Sequence, residues 1–498
     1  MSKKNLKYTR SAGILLPISS LPSKYGIGNF GIEAYNFVDF LTQSGQKYWQ
    51  ILPIGPTSFG DSPYQSFSAF AGNPYFIDFD MLIEEKLLDE NDVKDIDWGR
   101  DNTSVEYDKI YNNRFYVLRI AFENFKNTKQ DEYNKFYSEN EYWLKDYALY
   151  MSVKAKFDNK SWLEWDDDIR LYKEQAVKEY SEKLSDEIYF WCFLQFKFFE
   201  QWYKLKSYAN SKGIKIIGDI PIYVSMDSAD TWANSEQFLL DEDHRPTVVA
   251  GCPPDAFTDD GQLWGNAIYD WDVMRKDKFS WWKKRIAFNS TIYDVIRIDH
   301  FIGIVRYYAI PAGDTNVKNG KFSEGPGYAL IKAIDKSRGK SEIIAEDLGV
   351  VIEPVRKLIK RSGYPGMRIL QYAFDGNPDN DYLPDNYVEN TCVYLGTHDN
   401  DTMLSVIEQM TEEQKKCMLK YLEKDNLDNA VWDLIELAYS SVAKMVIIQM
   451  QDILELDNSA RMNVPSTVGT NWKWRVEKSA LTSEIAKKVK SLSEKYDR

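Results

Sequence analysis

Four apolar runs in this chain each carry a carboxylate at or near their C-terminal end. Val295–Phe301 reads VIRIDHF and places Asp299 and His300 after the apolar positions. Residues 342–348, EIIAEDL, end on Glu346 and Asp347, and residues 391–400, TCVYLGTHDN, end on His398 and Asp399. Residues 214–224, IKIIGDIPIYV, deliver Asp219. A strand alternates faces with period 2, so Arg297 and Asp299 share one face while Ile296 and Ile298 take the other. A guanidinium beside a carboxylate favours the ionised form and fixes its orientation. A single strand end of this kind is as readily a structural ion pair as a site. Four in one chain predict strand tips that converge on a shared site above a parallel barrel.

Carboxylates without a metal-binding cluster suit glycosidic chemistry. A retaining mechanism takes one ionised carboxylate as nucleophile and one protonated carboxyl as acid, about 5 Å apart. Asp299, oriented by Arg297, fits the first role. Glu346 fits the second, because the apolar Ile343, Ile344 and Ala345 before it and the nearby Asp299 charge both raise a carboxyl pKa. Asp399 and His398 are expected to hold sugar hydroxyls and to stabilise an oxocarbenium-like transition state. Asp219 is expected to anchor another hydroxyl. Rival chemistries lack their motifs: the chain has no G-x-S-x-G, no H-E-x-x-H and no P-loop, and no strand end offers a lysine for Schiff-base chemistry. A non-catalytic glycan-binding protein would share the aromatics and the carboxylates, but it leaves an acid/nucleophile pairing without a purpose.

Positioning such a site takes eight strands. Residues 11–19, 48–54, 214–224, 295–301, 342–348, 367–374, 391–400 and 446–454 read as apolar strands alternating with helical segments such as 32–43, 188–213 and the charged tail from Thr482. The pattern predicts an α/β fold, a (β/α)8 TIM barrel spanning 1–498 as one catalytic unit. Two insertions interrupt it. Residues 78–185 turn charged and helical, with Tyr111, Phe115, Leu118, Phe122 and Phe125 at helical spacing as expected core. Residues 225–275 form a second inserted subdomain, whose proline- and glycine-marked segment 251–264 reads as a lid over the site. A further loop, 55–75, is rich in glycine, serine and aromatics, and Tyr64 and Phe67 in it are candidates for a stacking wall. The G-x-G-x-x-G at 26–31 sits too far past its strand for a dinucleotide site, and the next strand ends on no acidic residue, so it reads as a glycine loop at the barrel mouth.

Composition excludes other classes. A net charge of −14 over 498 residues disfavours a nucleic-acid partner. No apolar run approaches the length of a membrane span, and the N-terminal apolar run is too short and proline-broken for a signal peptide. The expected location is cytoplasmic. Four scattered cysteines fit reduced thiols rather than a disulfide framework or a zinc site. Of only three histidines, His300 and His398 adjoin strand-tip aspartates, whereas His244 has no such context and reads as surface. The 33 tyrosines and 15 tryptophans suit stacking on sugar rings, although most are expected in the core.

With these segments in order along nearly the whole chain, the sequence resembles the amylomaltase, or 4-α-glucanotransferase, family of the α-amylase superfamily. The resemblance rests on SAGILLPISSLPSKYGIGNFG, ILPIGPTSFGDSPYQSFSAFAGNPY, IIGDIPIYVSMDSADTW, GCPPDAFTDDGQLWGNAIYDW, VIRIDHF, IIAEDLG, YLGTHDNDT and NVPSTVGTNWKWR. It implies a barrel with inserted subdomains and no C-terminal β-sandwich domain. It implies double-displacement transfer of α-1,4-glucan segments from a donor malto-oligosaccharide to the 4-hydroxyl of an acceptor glucan or glucose. By motif match Asp299 is the nucleophile, Glu346 the acid/base and Asp399 the transition-state stabiliser, supported by His398 and Arg297. Asp219, Tyr64 and Asn463 match positions lining the donor site, and the segment carrying Asp255 and Trp264 matches a flexible loop over the cleft. Two departures stand out. The DIPIYV block lacks the histidine of the α-amylases, which argues against their calcium site, so no cofactor or metal is expected. Ser466 stands where many relatives have glycine, with a minor effect expected. Whether water or a sugar hydroxyl resolves the intermediate is left open by the residues, so an α-glucan hydrolase is the alternative.

Overall fold

The computed structural model describes residues 10–58, 60–254, 260–349 and 351–498. Eight parallel strands form the central sheet. In chain order they are β1 (Ser11–Leu15), β2 (Tyr48–Gln50), β3 (Lys215–Pro221), β4 (Val295–Asp299), β5 (Glu342–Ala345), β6 (Gly366–Ile369), β7 (Thr391–Tyr394) and β8 (Met445–Gln449). Except for β5 and β6, each pairs with its neighbour in the chain, and β8 returns to β1 in register from Ser11 opposite Met445 to Leu15 opposite Gln449. The ring closes at the β5–β6 seam without a regular ladder. There the Ala345 amide donates to the Pro365 carbonyl at 2.9 Å, and the Met367 amide donates to Asp347 Oδ1 at 2.7 Å. The predicted (β/α)8 barrel is the fold.

Period 2 sorts the strand residues. Leu15, Tyr48, Ile217, Val295, Ile344, Met367, Ile369, Cys392, Tyr394, Met445 and Ile447 pack into one buried cluster. These are inward positions, and they fill the barrel interior as a core rather than a pore. Two residues on from Ile217 stands Asp219, two on from Val295 stands Arg297, and two on from Ile344 stands Glu346. The polar residues therefore cap an apolar column because alternation leaves them no other face. The opposite faces belong to a second cluster, in which Ile216, Ile296, Ile298 and Ile343 meet the surrounding helices. The helix Ile32–Gln43 shows how these fit: Ala34, Phe37, Val38 and Leu41 are buried at helical spacing against the barrel wall.

Between β2 and β3 the chain runs through helices at Tyr107–Phe125, Asp131–Lys156 and Glu174–Lys183 into the long helix Ser185–Ser211, after which Gly213 turns the chain at φ +79°. Phe122, Phe125, Trp143, Tyr147 and Tyr150 are buried there as expected, but Tyr111 is 47% exposed. It occupies the outer side of its helix, beyond the stripe that Leu118 and Phe122 bury. At the mouth, Gly28 packs so closely on the Ile18 carbonyl that a Cβ would lie 1.9 Å from it, so this glycine serves backbone packing.

A separate antiparallel sheet stands beside the barrel mouth, with strands ordered Gln262–Ala267, Val248–Cys252, Arg306–Pro311 and Lys321–Glu324. The ends of the segment read as a lid are thus paired strands, Gly251 opposite Leu263 and Cys252 opposite Gln262. Two further strands come from the chain after β4, where the sequence pattern had given no signal. No helix among the described residues is long and apolar enough to cross a membrane.

Candidate active site

The paired strands end at or shortly before the residues that could do chemistry. Asp299 is the last residue of β4, Glu346 follows β5 directly, and His398 and Asp399 lie in the turn after β7. These strands are shorter than the apolar runs suggest, because the chain leaves the ladder to aim its side chains into the mouth. Tyr64, Trp264, Arg297, Asp299, His300, Glu346, His398, Asp399 and Asn463 all line one open cleft with a volume of about 500 Å³.

The Arg297–Asp299 pairing expected from period 2 is present. Arg297 Nη1 donates to Asp299 Oδ1 at 2.9 Å and to Asp219 Oδ2 at 2.6 Å. Burial opposes the Arg297 charge, but Asp219 and Asp299 more than offset it and hold the guanidinium protonated. Asp219 departs from expectation. Its side chain is 0% exposed, and its Oδ2 is occupied by Arg297 and by the Tyr64 hydroxyl at 2.9 Å. It sits within β3 with Ile220 and Pro221 beyond it, so it supports the cleft floor from beneath rather than meeting a hydroxyl in the cleft.

Glu346 is held at both oxygens. The His300 amide donates to Oε2 and the Leu348 amide to Oε1, each at 2.6 Å. His300 itself stands in the left-handed region, φ 50° and ψ 45°, a conformation that costs an L-residue about 1–2 kcal/mol. Burial, and then the negative charge of Asp299, push the Glu346 carboxyl well above the ordinary range, against Arg297 and these two amides. Asp347, next in sequence, points the other way. It accepts from the Met367 amide and lies 3.4 Å from Arg368, bracing the barrel seam.

Asp399 has the opposite electrostatics. Burial alone would raise its carboxyl, but the His398 charge, a His398 hydrogen bond and the Asn463 amide outweigh that and bring it down to about 2. His398 Nε2 stands 3.2 Å from Asp399 Oδ2, and Asn463 Nδ2 donates to Oδ1 at 2.6 Å. For His398, burial works against its charge and Asp399 prevails, so its pKa is raised. The Tyr64 ring stacks on the His398 imidazole at 5.1 Å and 15°. The site therefore sets two carboxyls apart: one buried and driven toward the neutral acid, one clamped as the anion.

Other candidates fall out variously. Trp264 lines the cleft with its ring edge-on to His300 at 4.8 Å. Phe67 packs instead against Tyr150, with the Lys154 ammonium over its ring, and forms no part of the cleft wall. Asp255 lies outside the described residues. His244 is half-buried, its Nε2 3.4 Å from Ser235 Oγ. Ser466 lines the cleft at φ 66°, where glycine would be unstrained.

Two residues were not singled out from sequence. Arg461 Nη2 donates to the Asp399 carbonyl at 2.6 Å, its Nε donates to the Asn463 carbonyl at 2.7 Å, and Nη1 pairs with Asp401. It ties the Asp399 turn to the Asn463 loop. Trp472 closes the same corner, 5.9 Å from both Tyr64 and His398. Arg461 lies two residues before Asn463, and that adjacency was the only available signal.

Comparison with known proteins places the chain in a family. The model of the 4-alpha-glucanotransferase family matches residues 16–482. A 4-alpha-glucanotransferase of Clostridium butyricum is 48% identical over 483 residues, covering 97% of this chain and 99% of that protein. One from Thermus thermophilus is 40% identical over 504 residues, covering 99% and 100%. Among solved structures, the amylomaltase from Streptococcus agalactiae in complex with acarbose superposes with a TM-score of 0.96 at 42% identity, covering 98% of this chain and 99% of that one. By the extent of these matches along both partners, the chain belongs to the 4-alpha-glucanotransferase family.

Proposed function

We propose that the protein disproportionates α-1,4-glucans by a retaining double displacement in the cleft around Asp299 and Glu346. In the first step an Asp299 oxygen attacks the anomeric carbon of the donor. The bond to the leaving 4-oxygen breaks, and the Glu346 proton passes to that oxygen. In the second step the 4-hydroxyl of an acceptor attacks the same carbon. Its proton passes to the Glu346 carboxylate, and the Asp299 ester is released. The observation that carries this reading is the contrast between the two carboxyls: Asp299 held by Arg297 at 2.9 Å, Glu346 buried beside it and driven toward its acid form. Asp399, kept anionic by His398 and Asn463, stabilises the oxocarbenium-like charge. Tyr64, Trp264, His398 and Asn463 contact the sugars. Cys252, Pro253, Gln262 and Trp264, from the described ends of the segment 251–264, line the cleft and restrict water there, so that an acceptor sugar resolves the ester. Malto-oligosaccharides and glucose are the expected ligands.

Incubation with maltotriose tests the reading. Free glucose and a ladder of longer glucans at constant total reducing ends is the expected outcome. Rising reducing ends without longer products would make water the acceptor and the protein a hydrolase.

A further inference from the structure

The antiparallel sheet beside the mouth carries a feature outside the carboxylate site. Its register aligns Leu263 opposite Gly251, Gly251 opposite Tyr308, and Tyr308 opposite Phe322, one residue from each of the four strands. Directly opposed residues project to the same face of a sheet, so these form a single cross-strand row. At roughly 4.8 Å per strand the row spans about 14 Å. All four residues line the same cleft as Asp299 and Glu346. Phe322 is 49% exposed and Leu263 is 40% exposed.

The row is built, not incidental. The Arg306 guanidinium lies 4.1 Å from the Phe322 ring centroid, and the Tyr308 ring meets Phe322 edge-on at 5.1 Å and 67°. Tyr308 is fixed in turn: its hydroxyl donates to the Val317 carbonyl at 3.0 Å, and Gly320 packs on its ring, where a Cβ would lie 2.2 Å from Cε1. Gly251 is closely packed, since a Cβ there would lie 2.4 Å from Ile310 Cδ1, so no side chain of its own separates Leu263 from Tyr308. The result is a rigid apolar strip with a guanidinium at its margin. A pyranose ring has this complementarity, with C–H faces that lie on aromatic and aliphatic carbon and hydroxyls that take hydrogen bonds at the rim.

We infer that Leu263, Tyr308 and Phe322 form a remote ring-binding platform that takes glucose units of a glucan chain away from the bond being cut. The platform makes the enzyme prefer long chains over short ones. The inference rests on the proposed glucan function, and it is continuous with that site through the shared cleft.

The test compares maltotriose with maltoheptaose in Phe322→Ala, in Phe322→Tyr and in Leu263→Ala, which lies on the opposite edge strand. In Phe322→Ala and Leu263→Ala, kcat/KM for maltoheptaose is expected to fall roughly three- to tenfold, the scale of one lost ring contact. In Phe322→Ala the value for maltotriose stays within about twofold, and Phe322→Tyr retains wild-type preference. A merely structural effect would lower both substrates alike. Equal loss on both, or no loss on either, overturns the platform. Titration calorimetry of maltoheptaose with Asp299→Asn protein, with and without Phe322→Ala, reads the platform without turnover, and an unchanged Kd there also overturns it. Wild-type protein that yields no longer glucans from maltotriose would instead refute the proposed function, while calorimetry still decides the platform.

Discussion

In the proposed double displacement Glu346 is an acid in one half-reaction and a base in the other, and its surroundings imply how its pKa moves between them. In the free protein, burial and the Asp299 charge raise its carboxyl to about 8. An unperturbed glutamate titrates near ~4.3 and would be almost wholly ionised at neutral pH. A raised carboxyl is protonated below its pKa, so formation of the glycosyl ester runs at full rate at lower pH and is lost as pH rises through about 8. Once Asp299 is esterified its charge is gone, while Arg297 remains. Two like charges about 5 Å apart at an effective dielectric near 20 interact by roughly 3 kcal/mol, or about two pH units. Glu346 is therefore predicted to fall by roughly that amount in the intermediate, releasing it to act as base at neutral pH. The assay is the pH dependence of kcat/KM for maltotriose, which reports the free enzyme, set beside kcat at saturating acceptor. Glu346→Gln with an α-maltosyl fluoride donor, whose leaving group needs no acid, is predicted to lose the basic limb of the first step. A wild-type basic limb lying in the ordinary carboxyl range, or a basic limb that persists in Glu346→Gln on the fluoride, would refute the reasoning.

Three further outcomes follow from the same geometry. Keeping Glu346 neutral when folded costs stability wherever the unfolded chain would ionise it. The penalty is absent below the unfolded pKa, grows by about 1.4 kcal/mol per pH unit above it, and levels off beyond about 8. Glu346→Gln is thus predicted to be more stable than wild type at pH 8 by roughly 2–5 kcal/mol in urea denaturation, with the gap closing toward pH 4. Asn463→Ala removes a 2.6 Å hydrogen bond to Asp399, and a bond to a charged group is worth about 1.5–3 kcal/mol. A loss of kcat/KM of roughly 10- to 100-fold is expected, with the Asp399 pKa moving up, and wild-type rates in this variant would count against the Asp399 role. Arg461→Ala frees the Asp399 turn from the Asn463 loop and is predicted to lower kcat more than it raises KM. Arg461→Lys keeps the charge beside Asp401 but loses the fork, so only partial recovery is expected.

The barrel was legible because its signal is local and periodic. Each strand declares itself by a short apolar run, and period 2 alone put Arg297 beside Asp299 and Glu346 at the head of an inward column. Asp219 shows the limit of that logic. A strand run read to Val224 hides where the ladder ends, so a residue buried in the barrel looked like one at its tip. The hairpin 306–324 left no trace because Arg306–Pro311 follows β4 almost at once and is held in its sheet by the strand Val248–Cys252, more than fifty positions earlier. Such pairing depends on the register between distant segments, which no window along the chain contains. Arg461 and Trp472 were missed for the same reason. Their importance lies in what they touch, the Asp399 turn and the Tyr64–His398 stack, and those contacts join parts of the chain more than sixty positions apart. Tyr111 fails differently, since helical spacing marks a stripe but not its edge.

The central claim is that Asp299 forms a covalent bond to the sugar. Glu346→Gln given α-maltosyl fluoride can form that ester without an acid and lacks the base to release it, so the intermediate should accumulate. Intact mass followed by peptide mapping reads it directly. A maltosyl adduct on Asp299, in the peptide carrying VIRIDHF, is the predicted result. An adduct on Asp399, or product of inverted anomeric configuration with no adduct at all, would contradict the account.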